Sequence, residues 1–336
     1  MSTSTRPLLL PLVPLYRVAL ALREVRLRSG LEPVRRLRRP VISVGSLSAG
    51  GAGKTPLTIA LAQALTRRGL SVDVLSRGYA RRSRLAARVD PNGTADNFGD
   101  EPLLIAREAG VPVYVAAQRY EAGLLAEAEH SASSPSGLHL LDDGFQHRQL
   151  YRDVNILLLD RRDWFVDRLL PAGNLREPLA AARRATIVAI PGNDEAPELE
   201  GALRAWGWRG PVWRLHRRIE VPAVDGPVAA FCGIARPAQF FASLESAGLR
   251  LAARLPFPDH YRYTARDLDR IVSAGRSTGA KALITTEKDR VRMGTLINSL
   301  QELLPVQTAR LTVEIDEEDA AIGFLVSELQ AGQERA

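Results

Sequence analysis

Val41-Ile42-Ser43-Val44-Gly45-Ser46-Leu47-Ser48-Ala49-Gly50-Gly51-Ala52-Gly53-Lys54-Thr55-Pro56 is the stretch on which the fold turns. It opens as a short, mostly apolar strand of the kind buried on both faces. It closes as a glycine-rich turn ending in Gly53-Lys54-Thr55, just before a helical segment at 56–68. Strand, glycine loop, Lys-Thr and helix in that order make a phosphate-binding loop. The glycines let backbone N–H groups of 48–55 turn inward around an anion, where a Cβ would obstruct. Lys54 reaches the β/γ oxygens, and the Thr55 hydroxyl is placed to ligate Mg²⁺. The helix adds the positive end of its dipole. The strict pattern wants glycine at 48, and Ser48 stands there. The plain alternative is a glycine-rich turn without a ligand.

Outward from this loop the chain alternates strand-like and helical runs. Strands are expected at 41–44, 72–75, 112–116, 138–141, 154–159 and 186–190, with helices such as 56–68 and 120–129 between them. That rhythm predicts an α/β fold with a mostly parallel sheet flanked by helices. The polar, proline-broken stretch 216–227 reads as a linker. A second, smaller α/β set follows, with strands at 228–234, 282–285 and 311–315 and helices at 237–247 and 265–277. At ~150 residues per domain, 336 residues suit two domains. The expected division is 1–40, 41–220 and 221–336.

Composition narrows the classes. A chain 46% hydrophobic and 25% charged is an ordinary globular mixture, not a disordered or coiled-coil one. Its single cysteine, Cys232, excludes an internal disulfide framework and a cysteine-built zinc site. The net charge is +7, and all but three of the 45 basic residues are arginine. The three lysines are Lys54, Lys281 and Lys288, and Lys54 falls in the glycine loop. Nucleic acid is suggested only by the charge and is not expected as a partner. Residues 1–40 hold nine arginines against Glu24 and Glu32, together with an apolar run too short to span a bilayer. After Pro14, Leu15, Val18, Leu22 and Val25 recur at helical spacing among arginines. That pattern suits an anionic membrane surface, or a helix packed on the domain with its arginines solvated. Ala19-Leu20-Ala21 imitates a leader cleavage site, but a nucleotide site belongs where ATP is.

Leu138-His139-Leu140-Leu141-Asp142-Asp143-Gly144 is the second chemical signal. A strand ending in acid places carboxylates at the carboxyl edge of the sheet, where ligands bind. Asp142 and Asp143 there hold Mg²⁺ directly or through water; the alternative is an acidic turn. Gly99-Asp100-Glu101-Pro102 reads equally as a helix cap. Phe257-Pro258-Asp259-His260-Tyr261 reads equally as a turn with a solvated histidine. Ser76-Arg77-Gly78-Tyr79 follows a strand and places Arg77 on phosphate or on the surface. Thr285-Thr286-Glu287-Lys288-Asp289 lacks the Asn-Lys-x-Asp spacing of guanine readers.

Together, these stretches and Leu170-Pro171-Ala172-Gly173-Asn174-Leu175-Arg176-Glu177-Pro178 resemble the tetraacyldisaccharide 4′-kinase family, the lipid A 4′-kinases of Gram-negative bacteria. The matches run in family order from about residue 41 to residue 290. Ala52, Asn174 and Tyr261 depart from the usual Thr, Pro and His. The resemblance implies a phosphate-loop domain and a smaller α/β domain with the active site between them. It implies ATP and Mg²⁺ as cofactors and transfer of the γ-phosphoryl to the 4′-hydroxyl of an acylated glucosamine disaccharide 1-phosphate, giving lipid IVA. It also implies a peripheral or monotopic place at the cytoplasmic face of the inner membrane.

Carried over by residue, Asp100 and His260 resemble the family's acid–histidine dyad, with Lys54 beside them in catalysis. Ser48, Ala49, Gly50, Gly51, Ala52, Gly53, Lys54, Thr55 and Lys288 would hold the nucleotide, and Thr55, Asp142 and Asp143 the metal. Arg77, Arg119, His147 and Glu177 are candidates for substrate contacts. The competing expectations are another phosphate-loop NTPase, of GTPase or metallochaperone type, and a non-catalytic ATP-responsive protein. The first predicts Asn-Lys-x-Asp or Cys-x-x-Cys, neither of which occurs. The second predicts that Asp100 and His260 are dispensable.

Overall fold

The computed structural model describes residues 6–51, 53–129 and 137–334. Its strands are β1 Val41–Ser46, β2 Ser71–Ser76, β3 Ala87–Arg88, β4 Val113–Val115, β5 Gly137–Asp142 and β6 Val154–Leu158. They continue with β7 Ile187–Pro191, β8 Val212–Glu220, β9 Val228–Cys232, β10 Leu251–Pro256, β11 Ala282–Thr286 and β12 Val306–Ile315. All lie in one sheet, in the order β10-β9-β11-β12-β8-β7-β6-β1-β5-β2-β4-β3. Every neighbouring pair is parallel except β3 with β4 and β8 with β12.

The antiparallel β8–β12 pair joins the two halves of the sheet, running from Arg310 opposite Glu220 to Ile315 opposite Leu215. This corrects the expected linker at 216–227, whose first five residues are strand. Trp213 and Leu215 are buried while Arg214 and Arg218 are exposed. That is the alternation of a strand with one wet face, and Arg218 meets Glu314 of β12 at 3.0 Å. β12 starts at Val306, earlier than the expected 311, and β10 was not foreseen.

β1, β5 and β6 are almost wholly buried because helices cover both faces. The helix Lys54–Arg67 lays Leu57, Leu61 and Leu65 on the sheet, all fully buried. Their four-residue spacing puts them on one face, and truncating any one to alanine costs about 2–5 kcal/mol. The helix Val13–Arg28 forms as expected after Pro14. Val13, Tyr16 and Leu20 pack against the core beside Leu47 and Phe145, whereas Leu15, Val18, Leu22 and Val25 stay more than half exposed. Among the described residues no helix is long and apolar enough to cross a membrane.

Candidate active site

β1 lies between β5 and β6, with Val44 level with Asp142. The glycine loop and the two aspartates therefore leave the sheet at the same edge. Gly50, Gly51 and Gly53 all take positive φ, between 67° and 86°, a region that favours glycine. Residue 48 is not among the positive-φ positions. It bridges to Leu175 in extended backbone, so serine is tolerated where the strict motif has glycine. Ala52 lies outside the described residues. The Ala49 N–H donates to Asn174 O at 2.8 Å, which ties the loop to the 170–178 segment.

Lys54 opens the helix and is nearly buried. Its Nζ donates to Ser46 Oγ at 3.2 Å and lies 3.5 Å from Asp143 Oδ1. Asp143, at φ 47°, also receives both hydrogen bonds from Arg176 Nη1 at 2.9 Å. Burial works to raise the Asp143 pKa, but Lys54 and Arg176 outweigh it and hold it below the usual carboxylate value. Asp142 is the opposite case. Burial, then the negative charges of Glu101 and Asp143, push it up to about 7. Thr58 Oγ1 donates to it at 3.3 Å, a contact from the second turn of the helix that the loop motif does not reveal.

Asp100 and His260 come from opposite halves of the sheet. Asp100 begins the helix Asp100–Glu108, and His260, at φ 55°, follows β10. His260 Nδ1 and Asp100 Oδ2 are 3.1 Å apart. Arg292 donates through Nε to the same oxygen at 2.6 Å, and its Nη2 lies 3.4 Å from His260 Nδ1. The hydrogen bond to Asp100 raises the His260 pKa; burial and Arg292 oppose it without reversing it. The Asp100 carboxyl, despite burial, is held well below its ordinary value by His260 and Arg292. Arg292 was not foreseen. The available signal was its place three residues after Asp289, which its Nη1 meets at 3.3 Å. Asp289 accepts from the Gly233 N–H and from Tyr263 at 3.0 Å each, so it fixes the loop beside the dyad.

Lys54, Thr55, Asp142, Asp143, Arg77, Arg119, His147, His260 and Lys288 all line a cleft of about 1480 Å³. Asp100 sits behind His260. Lys288 donates to Glu101 across the same edge, and its pKa rises because that carboxylate outweighs burial. Arg119 is buried with its Nε unpartnered. Burial and the nearby Arg77 lower its pKa to about 10. Burial and Arg119 push His147 down to about 3, so its ring is neutral at pH 7. Glu177 is not brought to the cleft; its carboxylate is used by Arg184 and Gln146. Away from the glycine loop the cleft wall turns apolar, with Ile219, Ile234, Phe240, Ala309 and Leu311. These come from β8, the turn after β9, the helix Pro237–Ser246 and β12, and of them only Ile219 falls in the stretch where sequence alone suggested a linker.

Three comparisons agree with this geometry. The family model described as tetraacyldisaccharide-1-P 4′-kinase matches residues 5–330. A tetraacyldisaccharide 4′-kinase of Koribacter versatilis is 41% identical over 96% of this chain and 99% of its own length. One from Anaeromyxobacter dehalogenans is 41% identical over 85% of this chain and 81% of its own. The crystal structure of the apo form of LpxK from Aquifex aeolicus in complex with ATP is 32% identical. It superposes with a TM-score of 0.72 over 96% of this chain and 98% of that one. With an ATP-complexed enzyme of the same fold and relatives matched nearly end to end, the chain belongs to the tetraacyldisaccharide-1-phosphate 4′-kinase family.

Proposed function

We propose that this chain transfers the γ-phosphoryl of ATP to the 4′-hydroxyl of tetraacyldisaccharide 1-phosphate, giving lipid IVA, with residues 41–220 and 221–336 closing on the two substrates. The kinase activity rests on family membership. The residue roles rest on one observation above the others: a histidine–carboxylate pair, one member from each half, presents its histidine to the cleft that holds the glycine loop and the paired aspartates.

Lys54 and the amides of the 50–55 loop hold the β and γ phosphates. Thr55, Asp142 and Asp143 offer the hard oxygen donors that Mg²⁺ takes, and one or two carboxylates completed by phosphate oxygens and water suit that ion. The raised Asp142 pKa reflects burial first and then the charges of Glu101 and Asp143, which Lys54 and Lys288 only partly offset. Bound Mg²⁺ supplies charge to the β/γ oxygens as the phosphoryl group moves. The apolar wall of Ile219, Phe240 and Leu311 suits the adenine ring, with Lys288 near the nucleotide.

His260, made more basic by Asp100, accepts the proton of the sugar hydroxyl, while Asp100 orients the ring and stabilises the imidazolium. Because the pair spans both halves, it assembles only when the cleft is closed, which also excludes water. Arg77 and Arg119, cations with no carboxylate in contact among the described residues, suit an anionic substrate group, and the neutral His147 ring suits a sugar hydroxyl.

The exposed apolar face of the helix Val13–Arg28, flanked by arginines, suits the anionic cytoplasmic leaflet of the inner membrane, which also presents an acylated substrate. The test of the dyad is His260→Ala with ATP and lipid varied separately. It should lower kcat by ~10²–10⁴ while leaving the KM for ATP within a few-fold. Parent-like kcat would remove His260 from the chemistry.

A further inference from the structure

Two arginines that belong to none of the motifs lie on the glycine loop. Arg236 follows β9 and caps the helix Pro237–Ser246; Arg217 projects from β8. A Cβ added to Gly51 would come within 2.8 Å of Arg236 Nε and 2.9 Å of its Cδ. A Cβ added to Gly53 would come within 2.8 Å of an Arg217 guanidinium nitrogen. The side chains thus lie across the notches that the loop's glycines leave open. Both line the cleft alongside Lys54 and Thr55. Ala235, next to Arg236, reaches the same loop at Gly50.

Arg236 is held in place by a carboxylate of the other half. Its Nη1 donates to Asp160 Oδ2 at 2.8 Å. Asp160 follows β6 and caps the helix Arg161–Phe165 through Oδ1, which accepts from the Asp163 N–H at 2.9 Å. The cap therefore uses one oxygen and the arginine the other. A guanidinium has five N–H donors in a planar fork that matches phosphate oxygens two at a time. Here the fork stands at the rim of a phosphate cradle and is carried by the half of the sheet that also carries His260.

The geometry points to Arg236 as a nucleotide-phosphate ligand supplied in cis by the C-terminal half, parked on Asp160 until ATP enters, with Arg217 positioning the loop beside it. This rests on the assignment of the 48–55 loop to ATP. Its chemistry is charge: a triphosphate brings several negative oxygens to a loop whose own side-chain cation is Lys54, and a second cation arriving with His260 links nucleotide engagement to assembly of the dyad. No bond is made or broken by the arginine. A purely structural latch between Arg236 and Asp160 is the competing role.

The two roles separate in a variant set assayed for kcat and for the KM of ATP at saturating tetraacyldisaccharide 1-phosphate, with a thermal melt for each protein. Arg236→Gln should lower kcat/KM for ATP by ~10²-fold or more, the scale of one lost charged donor. Asp160→Asn should stay within ~3-fold, since asparagine keeps the helix cap and the arginine keeps its phosphate. Arg236→Lys, which can still meet Asp160 but has no fork, should lose ~10-fold or more. If Arg236→Gln does not fold, the lysine variant decides. Equal losses in Arg236→Gln and Asp160→Asn would make the pair a latch and overturn the proposal, as would a parent-like Arg236→Lys. Lys54→Ala serves as the control on the site itself. If it keeps parent-like turnover, the loop is not the ATP site and both assignments fall; if it fails while Arg236→Gln does not, only the arginine's role falls.

Discussion

Replacing Asp100 with asparagine keeps the side chain's size and an acceptor for the Glu101 N–H, and removes its charge. Two consequences follow from the geometry, and they can be measured apart. The first is structural. Asp100 and Arg292 form an ion pair at 2.6 Å with side chains only 7% and 6% exposed. Removing one charge of a buried pair costs about 3–5 kcal/mol. At ~2–4 °C per kcal/mol for domains of this size, the melting temperature should fall by roughly 6–20 °C. The second is chemical. His260 loses the group that raises its pKa and keeps an Arg292 nitrogen at 3.4 Å. Neutral imidazole is the form that accepts the proton, so a lower pKa moves the acid limb of kcat/KM to lower pH. Turnover itself should fall by ~10²–10⁴, the usual worth of a positioned general base. The double variant Asp100→Asn/Arg292→Met removes that cation but also takes the 3.3 Å partner from buried Asp289, so it should recover only part of the lost melting temperature while recovering none of the turnover. The assay is phosphoryl transfer at saturating ATP and lipid across the neutral pH range, paired with thermal melts. Turnover returning along with stability in the double variant would refute the reasoning, as would an unshifted acid limb in Asp100→Asn.

The remaining expectations concern the loop, the metal edge, the buried histidine and the helix surface. Lys54→Arg puts a planar fork where a slim ammonium reaches between Ser46 and Asp143, and kcat should fall by ~10²-fold or more with the fold intact by circular dichroism. Asp142→Asn should act with opposite signs on two readouts. The raised carboxyl pKa destabilises the nucleotide-free protein progressively as pH rises from its ordinary value towards about 7. The variant should therefore melt higher than the parent at pH 8, with a smaller gain at pH 5, and need more Mg²⁺ for half-maximal activity. His139 is wholly buried between Asp73 at 2.5 Å and Glu127 at 3.6 Å. Burial lowers its pKa, but the two carboxylates outweigh that and raise it. Its contribution is complete below its ordinary pKa and is lost as pH rises through the raised one. Thermal melts should show the parent losing its advantage over His139→Gln on the alkaline side. Leu15→Asp with Leu22→Asp should weaken sedimentation with anionic vesicles at least ~10-fold, since each leucine contributes about 1.5–3 kcal/mol when buried.

What could be read from the sequence depended on how rarely a residue type occurs and how deeply it is buried. β1, β5 and β6 are legible because helices cover both faces and leave mostly apolar runs. β8 and β12 were harder because one face stays wet, and arginines at 214, 217 and 218 broke the apolar pattern into something resembling a linker. Lys54 stood out as one of three lysines. Arg292, Arg217 and Arg236 did not, because in a chain where nearly every positive charge is arginine the residue type carries little information. Their places are set by tertiary packing: Arg292 by Asp100 from 192 positions away, Arg236 by Asp160 across the cleft. Lys288 illustrates the middle case, since its motif was visible but its partner, Glu101, required the fold.

The most direct measurement follows a labelled γ-phosphoryl group. The purified chain is incubated in detergent with tetraacyldisaccharide 1-phosphate, Mg²⁺ and ATP carrying the label, and the lipid is then examined before and after mild acid, which removes an anomeric phosphate. The lipid should gain one phosphate, and the label should survive the acid because it sits on the 4′-oxygen. Label appearing only in inorganic phosphate, or leaving the lipid with the anomeric group, would contradict the proposed reaction.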